Sequence, residues 1–395
     1  MNATRGAIGA LGAALALGAV LYHAKGLTLL ATPEGGVDVH LRWQEQRYVM
    51  QGQNPYDVTY AALGVGRPPS DPERNAVAIP EIGIPDSGGY PPWAFLIGYL
   101  MFWPSWPETK SYFLALSLAM TATAAAWAYR TVRPFGRGRE AGWLGATSVL
   151  AISGFSTCIH VGQYGAVVVG LLALSAWALS RGRDTLAGVL IGVALLKPTI
   201  AGPFVLILLV TGRWRALAAC VGYVALACAF VWWRTSTNPA EMFFQSISVA
   251  EGFVQDSQGL VNVLISFGLK PGQVTPVLAV AVGIPGLLGL YAIRRRSIPE
   301  LYAAAAVIGR LWAYHKSYDN MMLAFLLTAL AALVLERRTA WAWAGFLLAG
   351  AVTWAPASLA RGDGFLFVQI TGWLIGLAVL FRHLKPPETQ GSLAS

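Results

Sequence analysis

Charge and cysteine are what this chain lacks. Only 12% of its 395 residues are charged and only three are cysteine, against 56% hydrophobic residues. So little charge excludes a water-soluble domain of this length, and a mean hydropathy of +0.55 points the same way. The chain reads as a polytopic membrane protein. Cys158, Cys220 and Cys228 lie in or beside apolar runs with no CxxC or Cys/His spacing, which leaves them as small apolar packers and gives no metal or redox signal. The patterns GxxxxGKS/T, GxGxxG after a strand, HExxH and GxSxG are missing as well. Soluble-type nucleotide and hydrolase chemistry therefore has nothing to stand on.

What is present is one apolar run after another, punctuated by arginine. The net charge of +9 comes from short clusters between the runs: Arg130 to Arg139, Arg181 with Arg183, Arg213 with Arg215, Arg294 to Arg296, Arg337 with Arg338, and Arg382 with Lys385. That is the positive-inside pattern, so a lipid bilayer and no nucleic acid is the expected partner. The first run, Ala7 to Ala31, lacks a convincing cleavage site and reads as a retained first helix, with a cleaved signal peptide as the alternative.

If every basic cluster lies on the cytoplasmic side, an even number of crossings separates neighbouring clusters. Residues 140–158 with 164–181, 216–233 with 274–293, 299–313 with 319–335, and 340–356 with 365–381 then make out-and-back pairs. Between Arg183 and Arg213 lie only 29 residues, too few for two spans of ~20 residues each. Two short helices broken at Lys197-Pro198 are expected there. Residues 91–107 (PPWAFLIGYLMFWPSWP) are apolar enough to cross, yet parity makes them re-entrant or surface-lying on the outer side. The expected fold is an all-α polytopic membrane protein, a bundle of about twelve transmembrane segments with both termini cytoplasmic. It forms a single domain over residues 1–385, followed by a polar tail at 386–395.

This topology gathers polar residues on one face. The first outer loop (32–108), His160, Gln163, Lys197, a second outer loop (234–273), and His315, Lys316 and Asp319 all fall there. An outer loop is polar by default, but a lysine at the membrane boundary is costly and points to a partner, with snorkelling as the bland reading. The stretch GGVDVHLRWQEQRYVMQG reads as an amphipathic helix lying on the outer surface, with Asp38, Arg42 and Glu45 on one face beside Val37, Leu41 and Tyr48. Asp38 is there either a functional carboxylate or a charge that favours the helix dipole.

An aspartate just after the first span, then G-x-NPY (residues 52–56), then YPP (90–92), is an order that resembles glycosyltransferases of the GT-C superfamily. More narrowly it resembles glycosyltransferase family 87, the polyprenol-phosphate-mannose-dependent mannosyltransferases of the type that builds mycobacterial phosphatidylinositol mannosides. GQYGAVVVGLLAL (162–174), DTLAGVLIGVALLKPTIAGP (184–203) and HKSYDNMMLAF (315–325) are similar to later motifs of that family, so the likeness runs from residue 36 or so to 335. Two features depart from it. Trp93 follows YPP where the family usually has an aliphatic residue, and the insertion from Ala61 to Ser87 is rich in proline and charge.

The resemblance implies GT-C-like architecture and transfer of a sugar, mannose, from a polyprenyl-phosphate donor to a glycolipid or glycan acceptor of the cell envelope. The reaction would invert the anomeric carbon on the extracytoplasmic face of a bacterial inner membrane. It requires a carboxylate to take the acceptor's proton, a cationic pocket for the departing lipid phosphate, and an apolar groove for the prenyl chain. Asp38 matches the family's aspartate and is the expected base; Asp57 competes, although an aspartate after Pro-Tyr is a common turn or cap residue. His315 is the second catalytic candidate, placed to support the base, bind the acceptor or contact phosphate. Lys197 and Lys316 are candidates for the phosphate, and Gln163 for sugar or phosphate. Arg310 is placed to reach the same pocket. His40, Asn54, Tyr56, Asp57, Tyr90 and Asp319 are assigned to shaping the loops or binding the acceptor. No metal is expected, since the outer carboxylates form no tight cluster, and no cofactor, since the lipid-linked sugar is a substrate. Two competing readings are a transporter or flippase of lipid-linked sugars, suggested by broken helices and embedded charge, and a non-catalytic family member that binds them.

Overall fold

The computed structural model describes residues 2–71, 76–85, 89–102, 105–136, 139–251, 258–356, 358–359 and 363–382. The expected polar tail at 386–395 lies outside them. The described residues form helices, turns and no strand, as apolar segments must when each has to satisfy its own backbone in lipid.

Six helices are long and apolar enough to cross a membrane: Gly6–Leu30, Trp106–Phe135, Trp214–Thr235, Gly272–Ala292, Ser317–Arg337 and Gly364–Arg382. A seventh arises if Glu140–Leu150 and Ser153–Val161, bent by 48°, form one span. Gly165–Ser180, Asp184–Ala194, Pro198–Val210 and Ala340–Trp354 are apolar but shorter. The expected count of about twelve thus meets six or seven full-length helices, because several apolar runs are interrupted. One such break falls at Lys197, where the chain leaves Asp184–Ala194 and Pro198 opens the next helix without wasting an N–H. The helix Ala94–Met101 has eight residues and is about 12 Å long, well short of a hydrocarbon core of about 30 Å.

The helices run between two chemically distinct ends. At one end Thr131, Phe135, Arg296 and Arg337 line a common cavity, so three basic clusters converge. Along the helix Ser317–Arg337, about 30 Å away, Asp38, Tyr90, Gln163, Lys197 and Lys316 surround another. That central helix is 94% buried, and its Phe325 meets the rings of Phe204 and Tyr302 at 5.3 Å each. Such ring contacts lock neighbouring helices at a fixed rotation.

The helix Val37–Met50 departs from the expected amphipathic surface helix, because both of its faces are covered. Arg42, Gln44, Glu45 and Gln46 are buried along with Val39, Trp43, Tyr48 and Val49. Residues 79–83 close over it through backbone groups. Gln44 Nε2 donates to the Ile82 carbonyl at 2.7 Å, the Tyr48 hydroxyl donates to the Gly83 carbonyl at 2.8 Å, and Ile79 N–H donates to that hydroxyl at 2.9 Å.

Candidate active site

The polar stretch Asn54-Pro55-Tyr56-Asp57 starts a helix, Pro55–Leu63. Asn54 caps it by accepting the Tyr56 N–H at 3.1 Å, and Pro55 stands at a position whose N–H would be unbonded anyway. The Asn54 amide also donates to Gln245 Oε1 at 2.8 Å, while Gln245 Nε2 donates to Asp57 Oδ1 at 2.8 Å. Asn54 and Asp57 together clasp the helix Pro239–Glu251, and Asp57 is only 1% exposed. From the same turn the Tyr56 hydroxyl donates to the Tyr90 carbonyl, fixing the chain where it reaches Pro91 and Pro92. Trp93 then donates its indole N–H to the Leu195 carbonyl at 2.8 Å, just before Lys197. The proline pair therefore ties two distant segments to the broken-helix region.

Asp38 is placed by a second set of contacts. Gly36 adopts φ 85° and donates its N–H to the His160 carbonyl at 2.8 Å. Gly162 adopts φ 74°, and a Cβ there would come within 2.4 Å of Val39 Cγ1. Only glycine lets the start of the Asp38 helix abut this turn. Next to it, Gln163 Nε2 donates to Asp38 Oδ2 at 2.5 Å, and Gln163 Oε1 accepts the Tyr90 hydroxyl at 2.7 Å. Tyr56, Tyr90, Gln163 and Asp38 thus form one connected series. Asp38 is half-buried and lines a cavity of about 390 Å³; its Oδ1 accepts no hydrogen bond among the described residues.

Three cations, Arg42, Lys197 and Lys316, line the same cavity with Tyr90, Tyr314 and Tyr318. Lys197 is 8% exposed, donates to Asp319 Oδ1 at 2.5 Å and lies 4.8 Å over the Tyr318 ring. Asp319 Oδ2 meets His315 Nδ1 and accepts the Lys316 backbone N–H, each at 3.1 Å. Arg42 donates to both Glu45 oxygens at 2.8 and 2.7 Å, and its guanidinium sits 4.5 Å over the Tyr90 ring. Burial pushes the Glu45 carboxyl up to about 7, with Arg42 opposing.

The structure gathers Asp38, Gln163, Lys197, Lys316 and Tyr90 around one space, and sets the other expected residues behind it. His315 is fully buried, and its Nε2 lies 2.6 Å from the Gly309 carbonyl. A carbonyl only accepts, so that nitrogen carries a proton. Nδ1 also faces an acceptor, Asp319 Oδ2, so donating on both sides takes the imidazolium form. Burial, lowering the pKa, opposes that form and Asp319 favours it. His315 does not line the cavity and instead packs against Asp319. Arg310, also expected at the pocket, donates Nε–H to Asn320 Oδ1 and a terminal N–H to the Gln258 carbonyl, both at 2.6 Å. It braces the loop at Gln258. His40 stacks on Trp43 at 5.6 Å and meets Trp106 edge-on at 4.6 Å, away from Asp38's partners. Arg42 is the cavity cation that the sequence pattern left as a mere neighbour of Asp38; its spacing of four residues on one helix was the available signal.

The family model of glycosyltransferase family 87 matches residues 89–314, more than half of the chain. The chain belongs to glycosyltransferase family 87. No curated protein and no solved structure matches it. The family match takes in Tyr90, Gln163, Lys197 and Arg310, begins after Asp38 and the NPY turn, and ends one residue before His315. Membership makes the protein a glycosyltransferase, and its apolar helices make it a membrane protein. A carboxylate with an open oxygen beside clustered cations is a combination suited to proton abstraction with stabilisation of a departing anion.

Proposed function

We propose that this family 87 glycosyltransferase moves mannose from a polyprenyl-phosphate donor to a hydroxyl of an envelope glycolipid or glycan, with Asp38 as general base. The observation that carries the proposal is the shared cavity, with the open Asp38 oxygen and the Lys197, Lys316 and Arg42 cations around one space. The acceptor oxygen attacks the anomeric carbon as its proton passes to Asp38 Oδ1. The bond from that carbon to the phosphate oxygen breaks on the opposite face, and its electron pair leaves with polyprenyl phosphate. Inversion follows. Lys197 gives one of its three N–H groups to Asp319 and keeps the others for the phosphate. Gln163 holds Oδ2 and leaves Oδ1 for the proton. The convergence of arginine clusters at the far end supports an extracytoplasmic cavity, about twelve membrane segments and cytoplasmic termini in a bacterial inner membrane.

Asp38→Asn keeps the shape and removes the base. Membranes carrying the variant, supplied with radiolabelled polyprenyl-phosphate-mannose, should transfer roughly 10²–10⁴ times more slowly while binding the donor as before. Undiminished transfer would remove Asp38 from the chemistry. Donor binding by wild type, without transfer of mannose, glucose, galactose or a pentose from any such donor, would favour a binding or flipping protein.

A further inference from the structure

A second lined space lies at the basic end of the bundle, against the helices Asn2–Leu30, Trp106–Val132 and Glu140–Leu150. It has a volume of about 700 Å³ and is walled mainly by Leu118, Ala122, Ala125, Ala126, Ala146 and Leu150, with His23 and Thr121 as polar members of the wall. Small alanines on the helix Trp106–Val132 leave a groove where larger side chains would fill it. From Leu118 to Arg130 the groove runs about 18 Å along the helix axis, close to the depth of one leaflet of a core about 30 Å thick. At its mouth stand Tyr129, Arg130 and Arg133, with the Trp143 ring 5.6 Å from Tyr129. An adjoining cavity of about 510 Å³ shares Arg130 and Arg133 and adds Arg139.

The three arginines are exposed, and among the described residues none forms an ion pair or donates a side-chain hydrogen bond. Arg213, which pairs with Asp184 at 2.6 Å, shows that basic turns elsewhere in this chain do find carboxylate partners. An apolar trough one leaflet deep that ends in three unpaired guanidinium groups is complementary to a lipid whose headgroup carries a phosphodiester and a net negative charge. Guanidinium is also the side chain best matched to phosphate oxygens. We infer that this groove is a binding site for an anionic glycerophospholipid, with one acyl chain along the alanine wall and the phosphodiester on Arg130, Arg133 and Arg139. The arginine mouth of the site lies at the opposite end of the bundle from the sugar-transfer cavity, and the site does not depend on the reaction proposed there.

Native mass spectrometry of the full chain, released from vesicles of equal phosphatidylglycerol and phosphatidylcholine, reads the selectivity directly. Wild type should retain phosphatidylglycerol in preference. Each of Arg130→Gln, Arg133→Gln and Arg139→Gln should weaken that preference about fivefold, and the triple variant on the order of a hundredfold. Ala126→Trp fills the trough without changing charge, and should reduce retention of phosphatidylglycerol while all three arginines remain. Arg215→Gln with Arg295→Gln removes as much exposed positive charge as two of the site variants but should leave retention unchanged. Equal retention of the two lipids would overturn the proposal. So would an Ala126→Trp variant that retains phosphatidylglycerol normally, because the arginines would then act as diffuse charge without a groove.

Discussion

Asp319 is the residue whose loss this structure should tolerate least. Its Oδ1 accepts from Lys197 Nζ at 2.5 Å, and its Oδ2 meets His315 and the Lys316 N–H at 3.1 Å each, all with 1% of the residue exposed. Asp319→Asn keeps the volume but leaves the Lys197 ammonium buried without a counter-charge, a change that costs about 3–5 kcal/mol in buried pairs. Lys197→Met is gentler in this geometry, because the orphaned carboxylate still has His315 and a backbone N–H. In the double variant both charges are gone, and stability should recover to near the Lys197→Met value. Thermal unfolding of the detergent-solubilised protein, followed by tryptophan fluorescence, would rank the four forms. An Asp319→Asn variant that unfolds within about 1 kcal/mol of wild type, or a double variant that is simply the sum of the singles, would refute the pairing, since contacting charges must couple.

Gln163→Leu deletes the donor on Asp38 Oδ2 at 2.5 Å. Hydrogen bonds to charged groups contribute about 1.5–3 kcal/mol, so kcat should fall roughly 10- to 100-fold with KM little changed, whereas Tyr90→Phe, one link further back, should cost about fivefold. Gly162→Ala sets a Cβ 2.4 Å from Val39 Cγ1 at φ 74°, which should destabilise by about 1–3 kcal/mol; adding Val39→Ala should restore part of both stability and transfer. The folded-state pKa of Glu45 is raised above its ordinary value, to about 7. Its stabilising contribution is therefore complete below its unfolded value, and is lost as pH rises through about 7. The wild-type unfolding midpoint should fall across that window in pH-stepped melts, and Glu45→Gln should flatten the fall.

Much of the scaffold could be read directly from the chain. Arginine spacing marked the turns, and the crowding of Lys197-Pro198 into a short interval announced a broken helix, because length and proline act locally. Asp38, Gln163 and Lys197 were also visible as candidates: Asp38 through the family resemblance, Gln163 as the start of a helix, and Lys197 as a charge at the membrane boundary. Their arrangement was not. The clasp between Asn54, Gln245 and Asp57 joins residues 188 to 191 positions apart, and neither partner advertises the other. The Val37–Met50 helix looked solvent-facing because Arg42, Gln44 and Glu45 are polar. The segment that buries it does so with the backbone of Ile79, Ile82 and Gly83, groups that every residue carries. For His315, burial and the Gly309 carbonyl decide its place, and sequence separation says little about either.

The hydrogen bonds that converge on Asp38 all point the same way. Tyr90 gives its proton to Gln163, and Gln163 gives one to Asp38; the amide has no lone pair to offer the carboxylate on that side. The series can hold a negative charge, but it is a one-way street for protons. If Asp38 takes the acceptor's proton as proposed, that proton meets only a donor on the Gln163 side. It would then leave from Oδ1 into the cavity that Asp38 lines, the space in which the proposed transfer occurs. Product exit and reset of the base would then be successive uses of one space, and a product that lingered would also keep the enzyme from being recharged.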